Sequence, residues 1–130
     1  MGRQAAMPGY DADLRRLVKR SEFLRAARGK RTGRSAFLLQ AVACPDEEPG
    51  IGFTVTKKLG NAPERNRIKR RLRAAVRTCE GGFLPRHDYV LVGRRAALTI
   101  PFDQLVGELG SAVAGIHKPQ PAPGSHASGI

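Results

Sequence analysis

The sequence predicts an α+β domain, a single two-layer sandwich with helices laid on a small sheet. Three observations predict it. Apolar residues alternate with period two in "GIGFTVTKK", cluster in "SAFLLQAVAC" and "DYVLVGRR", and recur at helical spacing both after Asn61 and in the last apolar segment. A length of 130 residues suits one core. Hydrophobic residues make up 41% of the chain but aromatics only 5%, with no Trp, so that core is built from Leu, Val, Ile and Ala.

Each element follows in order. Residues 1–12 are polar with Gly and Pro and are expected to be flexible. In "SEFLRAARGK", Ser21 is a candidate N-cap and Gly29 a stop, which predicts a helix over Glu22–Arg28 with Phe23 and Ala27 on one face. The apolar run at 35–44, bounded by Gly33 and "PDEEPG", reads as a strand. The alternation of Ile51, Phe53 and Val55 reads as a second strand, and the short acidic turn between the two predicts a hairpin. Asn61 and Glu64 form a capping signature with Pro63 in the first turn, and Gly81 and Gly82 end the helix they open, Ala62–Cys79. A third strand follows at Asp88–Arg94. Phe102, Leu105, Val106, Leu109, Val113 and Ile116 repeat at helical spacing and mark an amphipathic helix over roughly Pro101–Ala114. The end, 117–130, is too rich in Pro, Ser and Gly to pack and is expected to be disordered, leaving 13–116 as the domain.

Charge is the strongest functional signal. The formal net charge is +12, and it is concentrated: residues 1–35 carry ten Lys/Arg against three acids, residues 57–77 carry nine against Glu64 alone, and the remainder is slightly acidic. Concentrated like charge repels itself, so it points to a polyanionic partner. No apolar stretch approaches the about 20 residues of a membrane span, and no secretory signal is visible, so no membrane role and a cytoplasmic location are expected. Cys44 and Cys79, without a CxxC or companion His, read as buried reduced thiols.

On a helical wheel at about 100° per residue, Ile68, Leu72, Ala75, Val76 and Cys79 share one arc. Asn66, Arg70, Arg73 and Arg77 lie opposite, with Arg65 and Lys69 on one flank and Arg67 and Arg71 on the other. A merely solvated helix intersperses acids for i, i+4 pairs. This one carries none between Glu64 and Glu80, a local rule broken without local gain, as at functional surfaces. Arg outnumbers Lys, which favours bidentate phosphate contacts, and Asn66 adds a group that both donates and accepts.

The stretch "GFTVTKKLGNAPERNRIKRRLR", with Arg65-Asn66-Arg67 at its centre, resembles the signature of the bacterial ribonuclease P protein subunit, and the resemblance runs from about Leu14 to Leu109. It implies a sheet of about four mixed strands packed with three helices and a left-handed βαβ crossover, against the usual right-handed preference. It implies a partner too: a catalytic RNA that removes the 5′ leader of precursor tRNA with Mg²⁺ bound mainly by the RNA, the protein a monomer in a 1:1 complex. Lys57, Lys58, Asn61, Arg65, Asn66, Arg67, Lys69, Arg70 and Arg73 are then the RNA-binding residues. Phe23, Lys30 and Arg31 belong to a cleft for the single-stranded leader, where aromatic stacking tolerates varied sequence. Ordinary core packing is the other reading of Phe23. The chain departs from the family pattern at Ala27 and Gln40, where aromatics are usual.

Three other readings compete. A protein-only ribonuclease needs an acid–base pair or a carboxylate cluster. The acids here are scattered, and His87, His117 and His126 have no partner legible in sequence, so no catalytic residue and no protein metal site are expected. A structural RNA-binding protein of ribosomal type shares the charge and is the alternative, distinguished by which RNA co-purifies. A helix-turn-helix reader lacks the preceding helix.

Overall fold

The central strand decides the architecture. In the computed structural model, which describes residues 14–79 and 82–117, five strands form one sheet in the order β1-β4-β5-β3-β2. Along the chain these are β1 (Arg15–Arg16), α1 (Arg20–Ala27), β2 (Lys30–Gly33), β3 (Phe37–Ala43), β4 (Gly50–Thr54), a 3₁₀ turn (Lys57–Leu59), α2 (Ala62–Thr78), β5 (His87–Gly93), a second 3₁₀ turn (Arg95–Leu98) and α3 (Phe102–Ile116). β5 pairs in parallel with β4, from Gly50 opposite Asp88 to Thr54 opposite Val92, and antiparallel with β3, from Phe37 opposite Gly93 to Ala43 opposite His87.

The expected hairpin is therefore not formed: β5 lies between β3 and β4. The reason is burial. Asp88, Tyr89, Val90 and Leu91 are all buried in succession, and a run covered on both faces belongs in the middle of a sheet. The two edge strands, β1 with two arginines and β2 reading Lys-Arg-Thr-Gly, have no apolar period that sequence could reveal. Charged, short edges of this kind also resist pairing with other chains.

The three helices form where expected, with shifted ends. α1 begins earlier than predicted, because Glu22 reaches back to accept from the Val18 and Lys19 amides at 3.0 and 2.9 Å, so Lys19 rather than Ser21 is the cap. Gly29 follows α1 for a steric reason: a Cβ there would lie 2.1 Å from the Ala41 carbonyl oxygen. At α2, Asn61 Oδ1 accepts from the Glu64 amide while Glu64 accepts from the Asn61 amide, the reciprocal cap the sequence announces. Lys57 and Lys58 have left the strand for a 3₁₀ turn. α3 runs two residues further than expected, and His117 is its C-cap rather than the start of a tail. The expectations for residues 1–12, for Gly81 as a helix stop and for residues beyond 117 lie outside the described residues.

Strand alternation sends residues to two faces. Phe37, Leu39, Ile51, Tyr89 and Leu91 pack against Ile68, Leu72, Ala75 and Val76 of α2 and Leu105, Leu109, Val113 and Ile116 of α3. The predicted buried arc of α2 is thus the observed one. On the other face α1 covers part of the sheet, with Leu17, Ala26 and Val90 buried and Phe23, Val42 and Val92 beside them. That face also buries Asp88, whose carboxylate accepts from Arg15 Nη2 at 2.5 Å and Arg25 Nη2 at 3.1 Å, tying β1 and α1 to β5. Cys44 and Cys79 are buried, and burial above all raises the Cys44 thiol. No described helix is long and apolar enough to cross a membrane.

Candidate nucleic-acid interface

α2 buries one stripe, and what it leaves outward is cationic. Asn66, Arg67 and Arg70 are exposed, Arg65, Lys69 and Arg73 half-buried along its flanks. The preceding turn adds exposed Lys57 and Lys58, joined to α2 through Gly60 at a positive φ of 151°. The nine residues predicted from sequence thus share one end and one side of the molecule.

Their bonding states differ. Among the described residues, the side chains of Lys57, Lys58, Asn66, Lys69 and Arg70 have no hydrogen-bond or ion-pair partner. Donors left open in this way are what a phosphate backbone requires. Arg65 Nη1 reaches the Gly60 carbonyl at 3.4 Å and Arg67 Nε the Leu98 carbonyl at 3.5 Å, long contacts that leave most of each fork free. Arg71, on the same helix, is committed inward: it donates to Ala97 O at 2.7 Å and Ile100 O at 2.5 Å. The helical wheel put Arg71 on a flank and Arg70 opposite the buried arc, but the carbonyls that engage Arg71 come only from the docked second 3₁₀ turn and the residues just after it.

A cleft opens from this surface around the edge of β4. Lys69 and Arg73 line a recess with Arg16, Leu17, Phe23, Ile51, Gly52 and Phe53. A second recess, lined by Val18, Arg20, Phe23, Leu24, Phe53 and Thr54, shares both phenylalanines. Phe23 lies against bare backbone: a Cβ at Gly52 would meet its ring at 2.7 Å. Arg73 stands over the Phe53 ring at 5.7 Å from its centroid. Phe53 is a candidate that sequence reasoning assigned only to the core. Its place near the end of β4, four residues before Lys57, is the available signal.

Lys30 and Arg31, predicted to share the cleft, point to opposite faces. The register Arg31–Gln40–Val90–Gly52 places Arg31 on the α1 face with Phe23, and its Nη2 approaches Ala27 O at 3.5 Å. Lys30 pairs with Ala41 on the other face, where it lines a recess with His87 and His117. Lys30 is thus removed from the predicted cleft, by the period-two rule that sequence alone could not phase for so short a polar strand.

His87 and His117, which had no partner in sequence, meet edge to face with ring centroids 4.9 Å apart. The Tyr89 hydroxyl accepts from the Leu84 amide at 2.8 Å and shares a hydrogen bond with His117 Nε2 at 2.5 Å. His87 Nδ1 donates to Pro85 O at 3.0 Å. Burial first, then His87 and Lys30, lowers the His117 pKa, and burial pushes Tyr89 up to about 12. Among the described residues no three or more His, Cys, Asp or Glu converge as metal ligands.

Comparison with known proteins places this geometry in context. A family model described as Ribonuclease P matches residues 12–117. The chain is 46% identical over 105 residues to the ribonuclease P protein component of Brucella suis, covering 72% of this chain and 74% of the relative. It is 44% identical over 110 residues to that of Ruegeria pomeroyi, covering 81% and 88%. The solved Staphylococcus aureus RNase P protein superposes with a TM-score of 0.63 at 26% identity, over 79% of this chain and 97% of that one.

Proposed function

Because the chain belongs to the ribonuclease P protein family, we propose that it works as the protein subunit of that tRNA-processing ribonucleoprotein, in the cytoplasm, as one protein bound to one RNA. One observation carries the mode of binding: a side of α2 and its preceding turn on which Lys57, Lys58, Asn66, Lys69 and Arg70 have open donors. That surface suits the backbone of the catalytic RNA, with Arg65, Arg67 and Arg73 in support and Asn61 at the cap.

The leader of precursor tRNA would run from Lys69 and Arg73 across the β4 edge onto Phe53 and Phe23. Bases stack there while cations hold the phosphates, which accepts any sequence. Where aromatics are usual in the family this chain has Ala27 and Gln40, and Arg31 approaches both. Its guanidinium plane gives a stacking surface in their stead.

Bond cleavage falls to the RNA. The interface does not fit an Mg²⁺ site of its own, since its one carboxylate, Glu64, is held by Arg95 and by the Asn61 amide. The ion is therefore assigned mainly to the RNA. His87 and His117 are occupied by Pro85 O and Tyr89, and neither lines the α2 cleft.

Reconstitution tests the proposal. Precursor tRNA at low Mg²⁺ should be cut only when both the chain and the ribonuclease P RNA are present. Cleavage by the protein alone would overturn the division of labour, and equal affinity for ribosomal RNA would favour a structural RNA-binding role.

A further inference from the structure

Glu64 is out of place. It is the one acid between Lys57 and Arg77, in a surface built to meet phosphates. Its capping role does not need a charge, since a glutamine accepts the same amide. The charge has another partner. Arg95, on the second 3₁₀ turn, donates to Glu64 Oε1 at 3.4 Å and to Oε2 at 3.1 Å, and its Nη1 also donates to the Leu59 carbonyl.

Arg95 therefore grips two segments at once, the end of the Lys57–Leu59 turn and the first turn of α2. Between them lies Gly60, where a Cβ would be 2.2 Å from Glu64 Oε1 and 2.8 Å from Arg95 Nη1. The grip closes onto backbone that only glycine supplies, at a φ that favours glycine. Arg95 is itself braced, because Arg71 holds Ala97 O in the same 3₁₀ turn and Ile100 O just after it to the middle of α2. The result is a closed chain of contacts from α2, through the second turn, back to the hinge before α2. Salt-bridging pulls Glu64 below its ordinary value, Arg95 being the largest cause.

We propose that Arg95 is a positioning residue for RNA binding, its guanidinium fork clamping Leu59 O to Glu64 so that Lys57 and Lys58 are presented at a set angle beside Arg65, Asn66 and Arg70. This rests on the RNA-binding reading above. Without the clamp the turn swings about Gly60, and the freedom lost on binding is charged against affinity. Glu64 is ionised because an ionised carboxylate can take both arms of the fork, and the same pairing cancels the charge that would repel RNA.

The test compares Arg95→Lys and Arg95→Gln with the wild-type full chain. The measurements are affinity for the ribonuclease P RNA across a salt series, melting temperature, and backbone amide spectra of the free protein. Lysine keeps the charge but cannot span both acceptors. The expected result is a roughly tenfold loss of affinity in both variants, an unchanged salt slope, a melting temperature near wild type, and amide shifts confined to 57–64. Glu64→Gln should act in the same direction, and the Glu64→Gln/Arg95→Gln double variant should be no worse than Arg95→Gln. Full rescue by lysine, or a slope reduced by one phosphate, would make Arg95 a direct contact and overturn the proposal, as would loss of affinity tracking a fall in melting temperature. If wild type shows no preference for this RNA, the functional reading fails instead, and the free-protein amide spectra still decide whether Arg95 holds the turn.

Discussion

Arg15 and Asp88 meet at 2.5 Å, a β1 guanidinium on a fully buried β5 carboxylate, with Arg25 of α1 on its other oxygen. Gly50 leaves the space, since a Cβ there would lie 2.6 Å from Asp88 Oδ1. This one carboxylate fastens to the sheet both N-terminal elements that wall the cleft. Removing one partner of a buried pair costs about 3–5 kcal/mol, because the other is left uncompensated. Asp88→Asn should therefore lower stability by about 3 kcal/mol in denaturant unfolding. Arg25→Ala, whose side chain is 48% exposed, should cost no more than about 1 kcal/mol.

Arg70 and Arg71 are neighbours with opposite tasks. Arg70→Ala should leave the melting temperature unchanged and reduce the salt slope of RNA binding by about one counterion. Arg71→Ala should do the reverse, costing about 2 kcal/mol through two charge-assisted bonds to carbonyls with the slope intact. A salt titration and a thermal melt of each variant separate them. An unchanged slope in Arg70→Ala would take Arg70 out of the interface.

The two phenylalanines of the cleft should act only when a leader is present. Phe53→Leu and Phe23→Leu keep apolar volume but lose the stacking face, and each should weaken binding of the assembled enzyme to precursor tRNA by about 1–3 kcal/mol. Affinity for leaderless tRNA should not move. Equal loss on both substrates would return Phe23 to an ordinary core role.

His117 should make the fold sensitive to mild acid. Its pKa is lowered in the folded chain, by burial first and then by His87 and Lys30, so the unfolded chain takes up a proton at higher pH than the folded one. Stability is then complete above the unfolded value of about 6.5 and falls as pH drops through it towards the folded value. Melting temperatures between pH 8 and pH 5 should decline in the wild type and flatten in His117→Gln.

The most legible parts of this protein were those whose causes are local. The reciprocal cap of Asn61 and Glu64, the buried stripe from Ile68 to Val76 and the cationic remainder of α2 are all spaced within one helix, so periodicity alone locates them. Residues such as Arg70 and Asn66 could be named for the same reason, whereas Lys58, in the turn before the helix, was named only through the family resemblance. The Arg65-Asn66-Arg67 stretch carried the family.

What depends on chain segments far apart was decided only by folding. β5 entered between β3 and β4 because a strand buried on both faces gains most at the centre, and strand order is a contest between distant pairings that no local window contains. The phase of β2 sent Lys30 to one face and Arg31 to the other. Arg71 and Arg95 acquired their partners from segments 26 to 36 residues away, and the buried Asp88 acquired its own from β1 and α1, 73 and 63 residues away. Sequence determined which side chains would be cationic and which would be buried. Tertiary structure determined which cations remain free to bind, because a guanidinium is spent or spared according to the carbonyls and carboxylates that packing brings to it.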